Sequence, residues 1–256
     1  MKSLGAAWVL LRGLWHAMAG WLTIRLVFPR LSQDERNAHV QVWARQMLAV
    51  LGIDLQLHGT PPTGGPVLLV ANHISWLDIL VMHAARHCRF VSKSELKSWP
   101  LIGTLATGAG TLYIERESRR DAMRVVHQMA DRLKAGEILA VFPEGTTSDG
   151  ISLLPFHANL IQAAISADAP VQPVALSFMD RRTGQTSLAP CYIGDDTLIG
   201  SIWRTLTTPG IVAVVRYGAP QHVQGRDRRA WAVDLRDAVA GLRQTQADRG
   251  TAGDTN

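Results

Sequence analysis

A short apolar run that stops abruptly constrains the fold of this chain more than any other feature. Val67–Ala71 reads Val-Leu-Leu-Val-Ala, follows a Gly-Gly-Pro turn and gives way to the polar pair Asn72 and His73. An apolar run between turn residues predicts a buried strand. Apolar residues resume at helical spacing from Leu77, so we expect a strand, a polar turn and a helix. Open α/β sheets place ligand sites at such strand ends.

His73 and Asp78 flank the start of this predicted helix. Five positions of a regular helix rotate by about 500°, which would leave the two side chains about 140° apart. They can meet only if His73 precedes the helix and Asp78 lies in its first turn, with Ser75 as the N-cap. Asp78 could then orient the imidazole as a general base, or it could simply cap the helix. His222 and Asp227 share this spacing in an Arg-rich loop, so the spacing alone is a weak signal.

The composition narrows the class of partner. The net charge of +5 and the sequence pI of about 9.7 favour an anionic partner, which could be nucleic acid, anionic lipid or a phosphorylated substrate. Nucleic acid is not expected, because the Lys and Arg residues are scattered and no nucleic-acid-binding motif is present. Eight Trp against five Phe and three Tyr suggest a polar–apolar boundary such as a membrane surface. Cys88 and Cys191 predict buried free thiols, and no Cys/His group has metal-ligand spacing, so neither metal nor cofactor is expected.

The N-terminal residues 4–28 are strongly apolar but are interrupted by Arg12, His16 and Arg25. Three alternatives remain open: a membrane-spanning helix, an interfacial helix anchored by its tryptophans, and a buried helix of a soluble protein. Membrane association is favoured, because an N-terminal segment this apolar has few ways to be covered. We therefore expect a membrane-associated chain on the cytoplasmic face, at the inner membrane if the source is bacterial.

Strands and helices alternate along the rest of the chain, which predicts a mostly parallel central sheet covered by helices on both faces. The predicted strands are 54–58, 67–71, 88–92, 111–114, 138–142, 171–178 and 211–217, and the predicted helices after the first apolar segment are 34–51, 119–134, 159–167 and 227–244. The glycine-rich residues 101–109 could line a chain-shaped cavity or pack closely against a helix. The expected division is a membrane-associated helix pair (1–52), an α/β domain (53–246) and a disordered tail (247–256).

Four sequence blocks occur in a fixed order at predicted strand ends. They are Asn72-His73-x4-Asp78, Tyr113-Ile114-Glu115-Arg116, Phe142-Pro143-Glu144-Gly145-Thr146 and Val171-Gln172-Pro173-Val174. Together they resemble the glycerolipid acyltransferase family, in particular its lysophosphatidic acid acyltransferase (PlsC-like) group. The resemblance covers roughly residues 60–180, and the N-terminal helix pair resembles the membrane-docking hairpin of that family.

The resemblance implies a membrane enzyme without a cofactor that moves an acyl group from acyl-CoA or acyl carrier protein to the hydroxyl of a lysolipid. The favoured acceptor is 1-acylglycerol-3-phosphate, which would give phosphatidic acid. His73 would take the proton of the alcohol, and Asp78 would hold the imidazole tautomer. Backbone N–H groups around Gly145 and Thr146 would stabilise the oxyanion.

Further roles follow from the same resemblance. Glu144 would position the acceptor or fix its own loop. Arg116 would bind an anionic head group, although a surface ion pair is the plainer alternative. Thr147 is predicted to contact substrate. Supporting roles are assigned to Asn72, Ser75 and Pro173.

Two departures from the family pattern concern the acceptor. Thr147 follows Glu-Gly-Thr where an arginine is common, and His157 stands where the family pattern Phe-Lys-x-Gly has lysine. Two missing cations would remove charge-assisted bonds of about 1.5–3 kcal/mol each from a phosphate site. A lyso-aminolipid such as lyso-ornithine lipid is therefore the alternative acceptor. A non-catalytic membrane-binding protein on the same fold is a weaker alternative, because His73 and Asp78 are both present.

Overall fold

The computed structural model describes residues 2–114 and 119–244. Arg116 and the tail that the sequence predicts to be disordered lie outside the described residues. The described strands form one sheet in the order β1-β7-β6-β2-β5-β3-β4. Their bounds are β1 Asp54–His58, β2 Val67–Ala71, β3 Arg89–Lys93, β4 Leu112–Ile114, β5 Ile138–Val141, β6 Val171–Asp180 and β7 Ile211–Tyr217. The strand pairs are parallel except for β6 with β7, so the predicted mostly parallel sheet is confirmed.

Helices cover both faces of this sheet. Their bounds are α1 Lys2–Leu26, α2 Gln33–Leu51, α3 Leu77–Ala85, α4 Ile102–Gly108, α5 Arg119–Lys134, α6 Gln162–Ala167, α7 Leu198–Thr207 and α8 Arg228–Gln244, with short 3₁₀ helices at Phe28–Arg30 and Ser94–Ser98. Alternate side chains of β2 enter different cores, as its central position requires. Leu69 packs into the core beneath α2 and α3. Leu68 and Val70 pack into the core beneath α5 and α8.

The second helix begins and ends as its sequence predicts. Ser32 and Glu35 form a capping box, and Gly52 ends α2 with a left-handed φ of 72°. Ala44 and Leu48 of α2 belong to the same core cluster as Leu69 of the sheet. The division of the chain into a helix pair and an α/β domain stays a prediction.

Helix α1 buries four of its small residues and exposes most of its large ones. Ala6, Gly13, Ala17 and Gly20 are buried, whereas Leu4 and Trp15 are 79% and 77% exposed. The pattern is the reverse of a helix on a water-facing surface, whose apolar stripe packs on the core. No helix in the described part of the chain combines the length and the hydropathy that crossing a bilayer requires.

Helices α7 and α4 add to what the sequence predicts. Helix α7 was not predicted, because residues 198–207 include glycine, serine and two threonines, all with weak helix propensity. It forms with Thr197 as its N-cap, whose side chain accepts a hydrogen bond from the Gly200 N–H. In α4, a Cβ atom on Gly108 would lie 2.4 Å from Ile24 Cδ1 of α1, so this glycine packs closely against a helix, which is one of the two alternatives; Gly103 and Gly108 also line a cavity.

Candidate active site

The His73 and Asp78 side chains meet at the carboxyl end of β2. His73 Nδ1 lies 2.8 Å from Asp78 Oδ2, and the same oxygen accepts hydrogen bonds from the Ile74 N–H at 2.7 Å and the Ser75 N–H at 2.9 Å. With Asp78 Oδ2 as the acceptor, the imidazole hydrogen lies on Nδ1, and Nε2 then carries a lone pair. His73 Nε2 makes no hydrogen bond to the described residues, and the side chain is 21% exposed. The geometry suits a general base.

The cap of the following helix differs from the prediction by one residue. Trp76, rather than Ser75, is the N-cap of α3, so Asp78 is the second helical residue and not the third. The reason is a tight first turn, in which the Asp78 N–H donates to the Ser75 carbonyl at 3.2 Å, so the regular helix begins later. Ser75 is fully buried, and its hydroxyl accepts a hydrogen bond from the Leu77 N–H at 3.2 Å. It therefore supports the turn that carries His73.

Glu144 reaches from the end of β5 to the backbone of this turn. Its Oε1 accepts a hydrogen bond from the His73 N–H at 2.7 Å, and its Oε2 accepts one from the Leu154 N–H at 3.0 Å. Burial raises the pKa of the Glu144 carboxyl, and the two backbone hydrogen bonds partly offset this rise. Of the two roles predicted for Glu144, these contacts correspond to fixing the loop, because each oxygen already has a backbone donor.

Ser148 and Phe142 also contact His73, and neither was assigned a role from the sequence. The Ser148 N–H and hydroxyl both donate to the His73 carbonyl, at 2.8 and 3.1 Å. The Phe142 ring stacks on the imidazole with centroids 4.0 Å apart and an interplanar angle of 7°. Together with Glu144 they fix the backbone and ring of His73. For Phe142 the available signal was its place in the Phe-Pro-Glu block, because that block follows the strand adjacent to β2, whereas Ser148 lies beyond the block.

The backbone around Gly145 and Thr146 forms a tight turn. The Gly145 N–H donates to the Phe142 carbonyl at 3.1 Å, and the φ of 74° at Gly145 suits glycine. Thr146 is exposed, and its N–H makes no hydrogen bond to the described residues. The Thr147 hydroxyl donates to the Tyr192 carbonyl. Of the predicted oxyanion donors, the Thr146 N–H is the one without an internal acceptor.

Asn72 and Pro173 lie where β2 meets β6. Asn72 is fully buried, and its side-chain amide exchanges two hydrogen bonds with the Leu176 backbone, at 3.1 and 2.8 Å. Pro173 lies opposite Val70 and has no N–H to donate. The side chain of Gln172 donates to the Gly218 carbonyl beside it at 2.8 Å. These contacts hold the strand that precedes His73.

A segment between β6 and α7 crosses the site, and no sequence motif indicated it. The Tyr192 N–H donates to the Ile74 carbonyl at 3.1 Å, while the Tyr192 carbonyl accepts from Thr147. Helix α7 supports the segment, because the Ser201 hydroxyl contacts the Cys191 carbonyl at 3.2 Å and accepts from Trp76 Nε1 at 3.2 Å. The predicted site residues His73 and Thr147 are therefore joined through a third loop.

The sequence also led to predictions about the two cysteines and about metal ligands. Cys88 and Cys191 are both free and buried, as predicted, and burial raises the pKa of the Cys191 thiol to about 11. Among the described residues, no three His, Cys, Asp or Glu side chains come close enough together to hold a metal ion.

Comparisons with known proteins agree on one family. The family model described as "Acyltransferase" matches residues 54–177. The lyso-ornithine lipid O-acyltransferase of Pseudomonas aeruginosa is 36% identical over 87% of this chain and 85% of its own length. The 1-acyl-sn-glycerol-3-phosphate acyltransferase of Neisseria meningitidis is 36% identical over 84% of each chain. The crystal structure of the acyltransferase PlsC of Thermotoga maritima has a TM-score of 0.63 at 18% identity, over 93% of this chain and 98% of that one, and shows the shared fold.

Proposed function

This chain belongs to the acyltransferase family, and from that premise we propose that it transfers a fatty acyl group from a thioester to the free hydroxyl of a lysolipid, with His73 as the general base. The observation that carries the proposal is the ring of His73, held through Nδ1 by Asp78 at 2.8 Å with Nε2 left open. Acyl-CoA or acyl carrier protein would supply the acyl group.

The proposed reaction needs no covalent enzyme intermediate. His73 Nε2 takes the proton as the alcohol oxygen attacks the thioester carbonyl, and Asp78, hydrogen-bonded to Nδ1, stabilises the imidazolium. The Thr146 N–H is the candidate donor to the oxyanion. As the tetrahedral intermediate collapses, the carbon–sulfur bond breaks and the leaving sulfur takes the proton from His73. The products are the acylated lipid and the free thiol of the carrier.

Two lysolipids are candidate acceptors. The first is 1-acylglycerol-3-phosphate, and its product would be phosphatidic acid. A specific observation favours the second, lyso-ornithine lipid: the Thr147 hydroxyl is committed to the Tyr192 carbonyl, and an exposed His157 lies beside Gly145 where a lysine would bind phosphate. Purified protein given labelled acyl donor and both lysolipids distinguishes them by product mass. Transfer to lyso-ornithine lipid alone would support the second candidate, and the reverse would remove it.

We also propose that α1 holds the enzyme on a membrane, on the cytoplasmic face. The support is the reversed pattern of this helix, which turns Trp8, Trp15 and its leucines away from the protein. Exposed large apolar side chains on one helix are typical of an interaction site, and interfacial helices use tryptophan in this way. Co-sedimentation with phosphatidylcholine vesicles tests the proposal, and wild-type protein that stays in the supernatant would contradict it.

The catalytic proposal is tested by His73→Ala. We expect kcat to fall by about 10²–10⁴, because the reaction loses its general base. The matched control is His222→Ala, which removes a histidine with the same spacing to an aspartate, Asp227, outside the site. Acyl transfer is measured with the fold checked by circular dichroism. A folded His73→Ala protein with wild-type kcat would refute the assignment.

A further inference from the structure

A cavity of about 470 Å³ lies between the end of α1, the start of α2 and α4. Three cationic side chains from separate elements line it: Arg36 of α2, Arg89 of β3 and Lys97 of the 3₁₀ helix before α4. None of the described residues that line it is acidic. The lining also contains no residue of the His73 turn or of the Phe142–Ser148 loop, so this cavity is separate from the proposed active site.

The positive charge of this cavity is only partly neutralised. Arg89 forms an ion pair with Glu137 at 2.7 Å. Arg36 Nε donates to the Phe28 carbonyl at 2.9 Å, and Lys97 Nζ lies 6.0 Å from the centre of the Tyr113 ring. Neither Arg36 nor Lys97 has a carboxylate partner among the described residues. Two uncompensated cations facing one concave surface favour an anion.

Exposed apolar residues lie next in sequence to residues that line the cavity, and we take them as its rim. Leu26 and Val27, just before Phe28, are 61% and 40% exposed, and Trp99 and Ile102, which lie between Lys97 and Gly103 in the chain, are 45% and 40% exposed. Leu26 also belongs to the exposed apolar surface of α1. A soluble anion needs no such rim, whereas the phosphate of a lipid reaches the protein together with apolar acyl chains. The volume falls within the range of ligand pockets.

We propose that this cavity binds the phosphate of an anionic phospholipid head group at the bilayer surface. The inference rests on the proposed membrane association of α1 and adds a head-group site distinct from the acceptor site at His73. The apolar rim enters the lipid, while Arg36 and Lys97 contact the phosphate. The site therefore fixes the orientation of the enzyme on an anionic membrane.

The test compares two charge-matched double variants. Arg36→Gln with Lys97→Gln removes the two uncompensated cations of the cavity, whereas Lys134→Gln with Arg182→Gln removes two exposed cations elsewhere. Binding is measured on vesicles of phosphatidylcholine alone and of phosphatidylcholine with phosphatidylglycerol. Because each cation near an anionic surface strengthens binding about fivefold, the cavity variant, which lacks two, should bind the anionic vesicles about 30-fold more weakly, and the control should bind as the wild type does. Equal losses in both variants would overturn the proposal.

Further measurements distinguish the head-group site from binding by α1 alone and from binding of the acyl donor. Phosphatidylcholine vesicles report the apolar surface of α1 alone, so wild-type binding there with no gain from phosphatidylglycerol would overturn the head-group site and leave the proposed function standing. Arg36→Lys with Lys97→Arg keeps both charges and should retain the anionic preference. A raised KM for acyl-CoA in the Gln variant, with unchanged vesicle binding, would assign the cavity to the phosphates of the donor and overturn the lipid assignment.

Discussion

The position of His73 is fixed by the first turn of α3 and by the loop that follows β5. Its N–H donates to Glu144, its carbonyl accepts from Ser148, and its ring lies between the Asp78 carboxylate and the Phe142 face. A general base that is held in this way loses little entropy when the substrate arrives. The sequence predicted His73 and Asp78 from spacing and context. It could not predict Ser148, because the contact joins residues that are far apart in the chain.

Glu144→Gln tests whether this carboxylate fixes the loop or contacts the acceptor. Glutamine keeps one oxygen acceptor but presents an amide N–H to the second backbone donor, so we expect the free energy of unfolding to fall by about 1–3 kcal/mol. We also expect kcat to fall with the KM for the lysolipid unchanged, since the loop positions His73. Urea denaturation and initial rates measure both effects.

The control for this variant is Glu95→Gln, which removes a carboxylate from an exposed site in the 3₁₀ helix before α4. Its stability and rates should match those of the wild type. A raised lysolipid KM in Glu144→Gln, with wild-type stability, would instead place Glu144 in contact with the acceptor.

At the scale of elements, Trp43 of α2 contacts His16 of α1 and so joins the two helices. The Trp43 indole N–H donates to the His16 carbonyl at 3.1 Å, and the His16 ring stacks on the indole with centroids 5.3 Å apart. Apolar content alone could indicate a helix within 4–28, which in the structure ends at Leu26, and the capping residue Ser32 could indicate where α2 begins. The sequence could not show that His16, which interrupts the apolar run, serves the contact between the two helices.

Gly20→Ala tests this helix contact. An added Cβ atom would lie 2.5 Å from the Trp43 indole nitrogen, so the indole must shift and its hydrogen bond to His16 is lost. We expect the free energy of unfolding to fall by about 1–3 kcal/mol through overpacking, despite the better helix propensity of alanine. Thermal and urea unfolding measure the change.

The matched control lies on the same helix. A Cβ atom on Gly5 would meet nothing within 4 Å, so Gly5→Ala should be neutral or stabilise the protein by about 0.5–1 kcal/mol. The contact between α1 and α2 would be of no importance to stability if both substitutions had this same small effect.

At the scale of the whole molecule, the alternation of strands and helices predicted the sheet and its two covered faces. Seven strand predictions match strands of the structure, and β1, β2 and β7 match at both ends. The order of the strands and the antiparallel pairing of β6 with β7 were not predictable, because they depend on contacts between distant segments. The loop around Tyr192 was missed for the same reason: its contacts to Ile74 and Thr147 leave no local pattern.

Two buried histidines give the whole molecule a dependence on pH. His83 and His87 stack with ring centroids 5.3 Å apart, and the edge of His83 contacts Phe90, whose ring stacks on Phe142 beside the active site. Burial lowers the pKa of His83 to about 3 and that of His87 to about 4, from 6.5. Below pH 6.5 the unfolded chain therefore binds more protons than the folded chain, and stability falls as the pH decreases.

Between pH 8 and pH 5, each of these histidines should lower the free energy of unfolding by about 2 kcal/mol. His83→Leu removes one of them, and since the buried His83 Nδ1 has no hydrogen-bond partner among the described residues, the substitution leaves no donor or acceptor unpaired. Urea unfolding at both pH values should then show about half the acid loss that the two histidines cause in the wild type. His127→Leu, at an exposed position of α5, should leave the acid loss unchanged. If His83→Leu lost as much stability on acidification as the wild type, the acid sensitivity would have to arise from groups other than this buried pair.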